Sequence, residues 1–250
     1  MAGRARQQTE NAAQEDVAEA AGKRRRKVSR NPQRTHATIL DAATEEFAAH
    51  GFGGARVDAI AARAQTNKRM LYHYFGDKEG LYLAVLEATY ATIRNAEKQL
   101  NLAHRHPEEG MRELALFTWQ HFLAHPEFLS LLATENLHQA HYLRRSEKVS
   151  VMHSHLIDEL SDVLRRGQAL GIFRPAVDPI SVYLTIAALG FFYLSNRHTL
   201  STIFARKLTA PDALNAWGEH IVAVTLASIR AKEAGDAGTS RTFGKFSKDD

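Results

Sequence analysis

Apolar side chains recur through the middle of the chain at the three- and four-residue spacing of α-helices. The first such stripe contains Ile39, Leu40, Ala43 and Phe47, and Gly51 follows it as a natural helix end. No segment shows a convincing two-residue alternation of the kind that marks a half-buried strand. The pattern predicts an all-α fold of about nine helices with no internal repeat.

Glycine, proline and capping residues set the expected limits of these helices. Asp77, for example, is placed to cap a long helix that follows it. The predicted ranges are 35–50, 57–64, 68–75, 78–101, 108–124, 126–137, 149 to about 167 or 171, 180–198 and 211–231.

Both ends of the chain differ from this pattern. After Met1, residues 1–31 contain no large aliphatic side chain except Val17 and Val28, and residues 232–250 are rich in Gly, Ser, Lys and Asp. We expect a disordered basic arm at 1–31 and a disordered tail at 232–250. Residues 1–34 hold nine Lys or Arg against four Asp or Glu. Such an arm suits phosphate binding, and a merely solvated tail explains it equally well.

Composition narrows the class of protein. The 250 residues are 44% hydrophobic and 24% charged, with a net charge of +4 and no cysteine. The lack of cysteine excludes disulfides, thiolate chemistry and Cys-based zinc sites. The polar N-terminus shows no secretory signal, so we expect a cytoplasmic protein. Polar residues interrupt the longest apolar run, Ile180 to Leu194, and its length argues against a membrane partner.

Two very short predicted helices, 57–64 and 68–75, flank a three-residue turn, which is the spacing of a helix-turn-helix. Leu71 and Phe75 would hold the second helix, whose other faces could enter a DNA major groove. An ordinary packing unit of short helices is the alternative. The side chains suited to phosphates or base edges are Asn67, Lys68, Arg69, Tyr72, His73, Tyr74 and Lys78.

Several short motifs at fixed spacing strengthen this interpretation. They are Ala42-Ala43 with Phe47, His50-Gly51-Phe52, Val57 with Ile60-Ala61, Leu71-Tyr72 with Tyr74-Phe75, and Lys78-Glu79 with Leu81. Together they closely resemble the N-terminal domain of TetR-family transcriptional regulators, over residues 34 to about 90. The resemblance implies a helix-turn-helix domain at 32–78 and a helical ligand-binding and dimerisation domain at 79–231. It also implies a sequence-specific repressor of transcription that responds to a small-molecule effector.

Three positions depart from the family pattern. Arg56 stands where the family usually has Ser or Thr, so it would keep a phosphate contact and lose a helix cap. Gln65 replaces a usual Gly in the turn, which predicts a non-glycine residue in the left-handed conformation. Met70 replaces a common Thr and removes one polar group from the DNA-facing side.

The last two predicted helices carry a seam typical of helix–helix packing. Small residues such as Ala187 would allow close approach, and the resemblance implies a homodimer that binds a near-palindromic operator. Packing of the same two helices inside one chain is the alternative. The predicted dimer residues are Ala187, Phe191, Leu214, Trp217, Ile221, Val224 and Ser228.

An effector cavity could form between the C-terminal helices. The residues predicted to line it are Trp119, Phe122, Phe128, His138, Tyr142, Met152, Phe192 and Tyr193, and each is also explained as ordinary core. His121 with His125, and Glu135 with His138, have spacings that permit metal binding. A solvated His-rich face is the commoner explanation, so we expect no metal and no cofactor.

An enzyme is disfavoured, because the chain has no Gly-rich phosphate loop, no Ser elbow and no metalloprotease pair. Two other functions stay open beside the ligand-responsive repressor. One is a constitutive DNA-binding protein without an effector, and the other is a small-molecule binder with residual DNA binding.

Overall fold

The structure, a computed structural model, describes residues 32–231, which form nine α-helices and two short 3₁₀ turns. Within this range there is no strand, only an isolated bridge between Phe173 and Arg230. The all-α prediction is confirmed, while the predicted arm and tail lie outside the described residues. The helices are α1 Pro32–Gly54, α2 Val57–Arg63, α3 Lys68–Phe75, α4 Lys78–Lys98, α5 Pro107–Ala124, α6 Pro126–Leu137, α7 Glu147–Ala169, α8 Pro179–Ile203 and α9 Pro211–Ile229.

Helix limits follow the expected local chemistry. Proline stands in the first turn of α5, α6, α8 and α9, where its missing N–H removes no intrahelical bond. Asp77 caps α4, and its Oδ1 accepts the Gly80 N–H at 2.7 Å. Gly51 interrupts α1 with φ 64°, so the chain turns at the glycine expected to end the helix. Helix α4 ends at Lys98, three residues before the predicted Asn101.

The N-terminal core is built from α1, α2, α3 and the first half of α4. Its fully buried side chains include Ile39, Phe47, Ile60 and Tyr82. Leu131 of α6 and Tyr142 of the following loop also enter this cluster. The second half of α4 packs in the other core, so α4 belongs to the packing of both halves. The domain boundary predicted at residue 78 stays a prediction.

The C-terminal core joins the second half of α4 to α5, α6, α7, α8 and α9. Two glycines let α8 and α9 approach α5 closely. A Cβ at Gly218 would lie 2.7 Å from Cδ1 of Trp119, and one at Gly190 would lie 3.0 Å from Cδ2 of Phe122. Both α8 and α9 are therefore packed on α5 of the same chain.

Helix α8 has 25 residues and is long and apolar enough to cross a bilayer by length and composition. The prediction that this apolar segment is too short to span a bilayer is thus wrong, because the helix continues beyond Leu194. Core helices of water-soluble proteins pass the same test. One face of α8 contributes Val182, Ile186 and Leu194 to the C-terminal core.

Candidate nucleic-acid interface

Helices α2 and α3 are joined by a tight turn whose local contacts fix their angle. Asn67 caps α3, because its Oδ1 accepts the Met70 N–H at 3.1 Å. Thr66 donates its N–H to the Ala61 carbonyl at 3.0 Å. Gln65 has φ 50°, which confirms the left-handed conformation expected there. The segment has the form of a helix-turn-helix.

Leu71 is the one fully buried side chain of the eight-residue helix α3, and Tyr74 and Phe75 pack against the same core as partly buried side chains. Lys68, Arg69, Tyr72 and His73 are all exposed on its other faces. These four residues form the exposed face of α3, and they are close enough along one helix to meet the same groove.

Tyr74 was expected to contact DNA, but the structure places it differently. It is half-buried against the N-terminal core, with its ring edge-on to His36 at 5.7 Å. Phe75 packs on the same imidazole, with ring centroids 4.6 Å apart. The sequence Tyr72-His73-Tyr74 does not show which of the three rings faces the core, because the contact of Tyr74 with His36 of α1 determines it.

The basic residues on and near α3 differ in the contacts that their charged groups make. Nζ of Lys68 lies 2.6 Å from Oδ1 of Asp58 on α2, and this hydrogen bond raises the pKa of Lys68. Arg69 has no ion-pair partner among residues 32–231. Nζ of Lys78 lies 4.9 Å from the ring centroid of Phe52, and burial lowers its pKa. Lys78, expected to attract phosphate, is therefore drawn toward an aromatic ring in the free protein.

Arg56 precedes α2 with an extended backbone and no side-chain cap, as the sequence predicts. Its side chain is exposed, while its N–H donates to Oε1 of Glu46 at 3.1 Å. Glu46 is buried on α1, and its Oε2 lies 3.6 Å from Nη1 of Arg63. This carboxylate, which sequence reasoning missed, ties α1 to both ends of α2.

The strained turn gives a stability prediction. Gln65→Gly raises the free energy of unfolding by about 0.5–1 kcal/mol, because relief of the left-handed strain exceeds the added entropy of glycine. Gln99→Gly is the matched control at φ −72°, where glycine gains nothing and stability falls. Urea denaturation of both variants measures the difference, and a loss of stability at position 65 would contradict the strain.

The eight residues predicted to line an effector cavity do not meet in one place. Trp119, Phe122 and Phe128 are buried in the C-terminal core, whereas Tyr142 is buried in the N-terminal one. His138 is exposed at the end of α6. A single cavity lined by all eight is therefore wrong, because these side chains belong to two different cores and to the exposed surface.

The other three predicted cavity residues lie at surface grooves. Phe192 is 60% exposed, and with Tyr193 it borders an open groove of about 1070 Å³ between α8 and α9. Met152 lies on a different groove of about 750 Å³ that also touches α1.

Of the histidines with metal-binding spacing, His121 is buried and its ring packs against that of His125. The His121 and His125 rings are 4.3 Å apart, and Nδ1 of His125 lies 2.8 Å from Oε1 of Glu127. Burial lowers the pKa of His121 to about 4, and His125 and Arg94 add to the effect. Among residues 32–231 no three His, Asp or Glu side chains are grouped to hold a metal ion.

The predicted dimer seam of α9 faces inward in part. Ile221 is fully buried, and the Leu214 carbonyl accepts the Trp119 Nε1–H at 3.1 Å. Trp217 stacks on Tyr193 at 4.7 Å and donates to the Leu189 carbonyl. The seam through these residues packs inside one chain, which is the alternative that the sequence left open. The prediction that Ile221 lies at a subunit interface is therefore wrong.

The remaining predicted dimer residues divide by exposure. Ala187 and Phe191 of α8 are half-buried against the C-terminal core, and Val224 of α9 is half-buried as well. Ser228 is exposed, although its hydroxyl donates to the Thr225 carbonyl at 2.7 Å. No side chain of this set except Ser228 lies on the open surface.

Comparison with known proteins finds a family match for each half of the chain. Residues 39–85 match the profile of bacterial regulatory proteins of the TetR family, and residues 107–224 match the tetracycline-repressor-like C-terminal domain. The HTH-type transcriptional repressor NicS of Pseudomonas putida is 41% identical over 197 residues, covering 79% of this chain and 93% of that protein. A transcriptional repressor of Streptomyces coelicolor is 35% identical over 170 residues, covering 64% of this chain and 78% of its own.

Solved structures show the same fold. A transcriptional regulator of Streptomyces coelicolor superposes with a TM-score of 0.59 at 28% identity, covering 78% of this chain and 98% of that one. FadR of Bacillus subtilis, solved with stearoyl-CoA, gives a TM-score of 0.58 at 16% identity, covering 78% and 99%. The helix-turn-helix, the all-helical C-terminal half and these relatives agree that the chain belongs to the TetR family of DNA-binding transcriptional regulators, which are not enzymes.

Proposed function

We propose that the chain is a cytoplasmic, ligand-responsive repressor that binds a near-palindromic operator as a homodimer. The observation that carries the proposal is the exposed face of α3, which presents Lys68, Arg69, Tyr72 and His73 while Leu71 anchors the helix. Arg and Lys suit guanine edges and phosphates, and the hydroxyl and imidazole suit either. Two relatives, NicS and the Streptomyces coelicolor protein that is 35% identical, are repressors.

A homodimer is supported by an unpartnered surface on α8 and α9. The exposed apolar residues of α8 include Leu184 and Phe192, eight positions apart with Ala188 exposed between them. The exposed row of α9 consists of Ala216, His220, Ala223 and Ala227. Large apolar side chains on α8 beside a row on α9 that is alanine at three of its four positions allow two helix pairs to approach closely, so we assign this dimer face to the subunit contact.

Effector response is supported by how the two cores share α4. Its first half packs with the helix-turn-helix through Leu81 and Tyr82, and its second half packs in the C-terminal core through Tyr90 and Ile93. A displacement of α4 in the C-terminal core must therefore move the helix-turn-helix. An effector acts through α4 only if it binds the two positions of the helix with different affinity.

The loop between α6 and α7 gives a second connection. Tyr142 packs against Phe52 at 4.5 Å and Tyr82 at 5.1 Å. Nη1 of Arg145 lies 2.8 Å from Oε2 of Glu79 at the start of α4. The C-terminal half thus holds α4 at its N-terminal end as well as along its length.

Selection of bound DNA from a random pool tests the proposal. We expect an inverted repeat, because two α3 helices related by a twofold axis meet equivalent half-sites. Recovery of a single half-site would contradict the dimer on DNA. Recovery of no sequence preference would contradict a sequence-specific regulator and favour one of the two other functions.

Disruption of the dimer face gives a separate prediction. Phe192→Glu makes the protein monomeric and lowers operator affinity by about 100-fold or more, because the two half-sites no longer bind together. Val151→Glu changes another exposed apolar residue, 70% exposed on α7, and leaves both properties unchanged. Light scattering and fluorescence anisotropy measure the two effects, and a Phe192→Glu variant that stays dimeric would contradict this surface as the interface.

A further inference from the structure

A groove of about 410 Å³, here called the junction groove, lies where α1, α4, α5 and α6 meet. Asp41 and Glu45 line it from α1, Thr89 from α4, His121 from α5 and Glu127 from α6. Its volume is in the range of sites that hold small molecules. Because α1 belongs to the N-terminal core and α5 to the C-terminal one, the junction groove bridges the two halves of the chain. It is distinct from any cavity among the C-terminal helices alone.

Three carboxylates line the junction groove, and little positive charge offsets them. Asp41 is exposed and has no ion-pair partner among residues 32–231. Oε2 of Glu45 lies 3.4 Å from Nε of Arg63, but this pair is exposed and therefore weak. Oε1 of Glu127 accepts a hydrogen bond from Nδ1 of His125 at 2.8 Å. In a chain whose net charge is +4, the junction groove is thus a local concentration of negative charge.

Three threonine hydroxyls add neutral acceptors to the same lining. They belong to Thr44 of α1 and to Thr89 and Thr92 of α4. Each donates its hydrogen to the carbonyl four residues earlier in its own helix, at 2.9, 2.7 and 3.0 Å respectively. A hydroxyl whose hydrogen is used in this way can only accept a further hydrogen bond. The threonines therefore favour a ligand that donates hydrogen bonds.

His121 is a separate indication that the junction groove takes a ligand. It is only 7% exposed, and its ring makes no hydrogen bond to any residue of 32–231, although it packs on the ring of His125 at 4.3 Å. Buried polar side chains normally have a hydrogen-bond partner. Burial lowers the pKa of His121 to about 4, with His125 and Arg94 adding to the effect. The imidazole is therefore neutral at physiological pH, and one of its nitrogens is an acceptor.

We infer that the junction groove binds a small organic cation with at least two charged nitrogens, of the diamine or polyamine class. An ammonium group has three N–H donors and no acceptor, which complements a lining of carboxylates, hydroxyl oxygens and a neutral imidazole. Carboxylates on both α1 and α6 favour a ligand charged at both ends. A metal ion fits less well, because no three His, Asp or Glu side chains within 32–231 are grouped to hold one. The site is additional to the proposed function and does not depend on it.

Putrescine, butylamine and 1,4-butanediol test the charge preference, because they share a four-carbon chain and carry two, one and no ammonium groups. We expect putrescine to raise the melting temperature of the full-length protein, butylamine to raise it less and butanediol to leave it unchanged. Magnesium chloride at the concentration of the diamine controls for charge screening. No shift with putrescine, or an equal shift with magnesium chloride, would overturn the inference.

A double substitution tests the carboxylates. Asp41→Asn/Glu127→Gln removes one charge from α1 and one from α6 and keeps the shapes of both side chains. We expect about 10-fold weaker putrescine binding by calorimetry, the sum of two solvent-screened charge contacts. Asp158→Asn/Glu109→Gln is the matched control, since it changes net charge equally at two exposed residues outside the junction groove. An equal loss in both double variants would indicate an effect of overall charge and overturn the site.

His121→Phe tests the buried acceptor. The variant keeps a flat ring beside Phe117 and Phe128, whose ring centroids lie 5.7 and 6.3 Å from that of His121, and removes both nitrogens. We expect a native circular dichroism spectrum and about 10-fold weaker putrescine binding, as for loss of a hydrogen bond to a charged group. A folded variant that binds putrescine as tightly as the original protein would overturn the inference. If this variant does not fold, the carboxylate variants decide.

Discussion

Replacing Arg69 with Ala lowers affinity for the selected operator by about 30-fold or more, because an arginine contact to a guanine edge contributes about 1–3 kcal/mol in each of two subunits. Arg69 is exposed on α3 and has no ion-pair partner among residues 32–231, so no internal contact compensates for its loss. The measurement is fluorescence anisotropy with the selected duplex at fixed salt.

Arg165→Ala provides the control for net charge. Arg165 is exposed on α7, away from the helix-turn-helix, and its removal takes away the same positive charge. A loss no larger than that of the control would show that α3 does not meet the groove through Arg69. If Arg69 binds phosphate, its removal weakens binding to all sequences equally and reduces the salt dependence.

Leu71→Ala lowers the free energy of unfolding by about 2–5 kcal/mol, the range for truncating a buried leucine. Leu71 is 1% exposed and is the only fully buried side chain of α3. An eight-residue helix is not stable without tertiary packing, so loss of this contact should also release α3 and weaken operator binding. Denaturation followed by circular dichroism measures the change.

Leu137→Ala is the matched substitution at a leucine that is 81% exposed, and it should change stability by less than about 0.5 kcal/mol. Both tryptophans, Trp119 and Trp217, lie in the C-terminal half, so their fluorescence shows whether the damage spreads beyond the helix-turn-helix. Equal effects of the two leucine substitutions would contradict the role of Leu71 as the anchor of α3.

Much of the fold could be predicted from local chemistry. The stripe through Ile39 and Phe47, the caps at Asn67 and Asp77 and the left-handed Gln65 all depend on residues within a few positions of each other, and the structure confirms them. Glu46 also lies on this stripe, seven residues after Ile39, so its burial was visible in the same periodicity.

The site residues were harder to predict, because their partners are distant in sequence. Asp58 meets Lys68 across a turn, and no spacing rule indicates that pair. On α9, a three- and four-residue seam through Ile221 is the same whether it packs inside a subunit or between subunits, and only burial separates the two. Arg94 and Glu97 form an ion pair three residues apart on α4, and their burial likewise appears only when α4 packs in the C-terminal half.

The Asp58–Lys68 pair has a consequence for how the protein searches a genome. Binding to random DNA draws its free energy from the release of counterions by unpaired cations. A lysine already neutralised by Asp58 contributes little to that release, and the aspartate itself repels phosphate. The ion pair must open before Nζ of Lys68 can reach a base edge, at a cost of about 1 kcal/mol or less for two side chains that are 50% and 62% exposed, and a base contact at a matching half-site would offset that cost. An acidic residue beside the recognition helix thus discourages binding at the many wrong sequences more than at the right one.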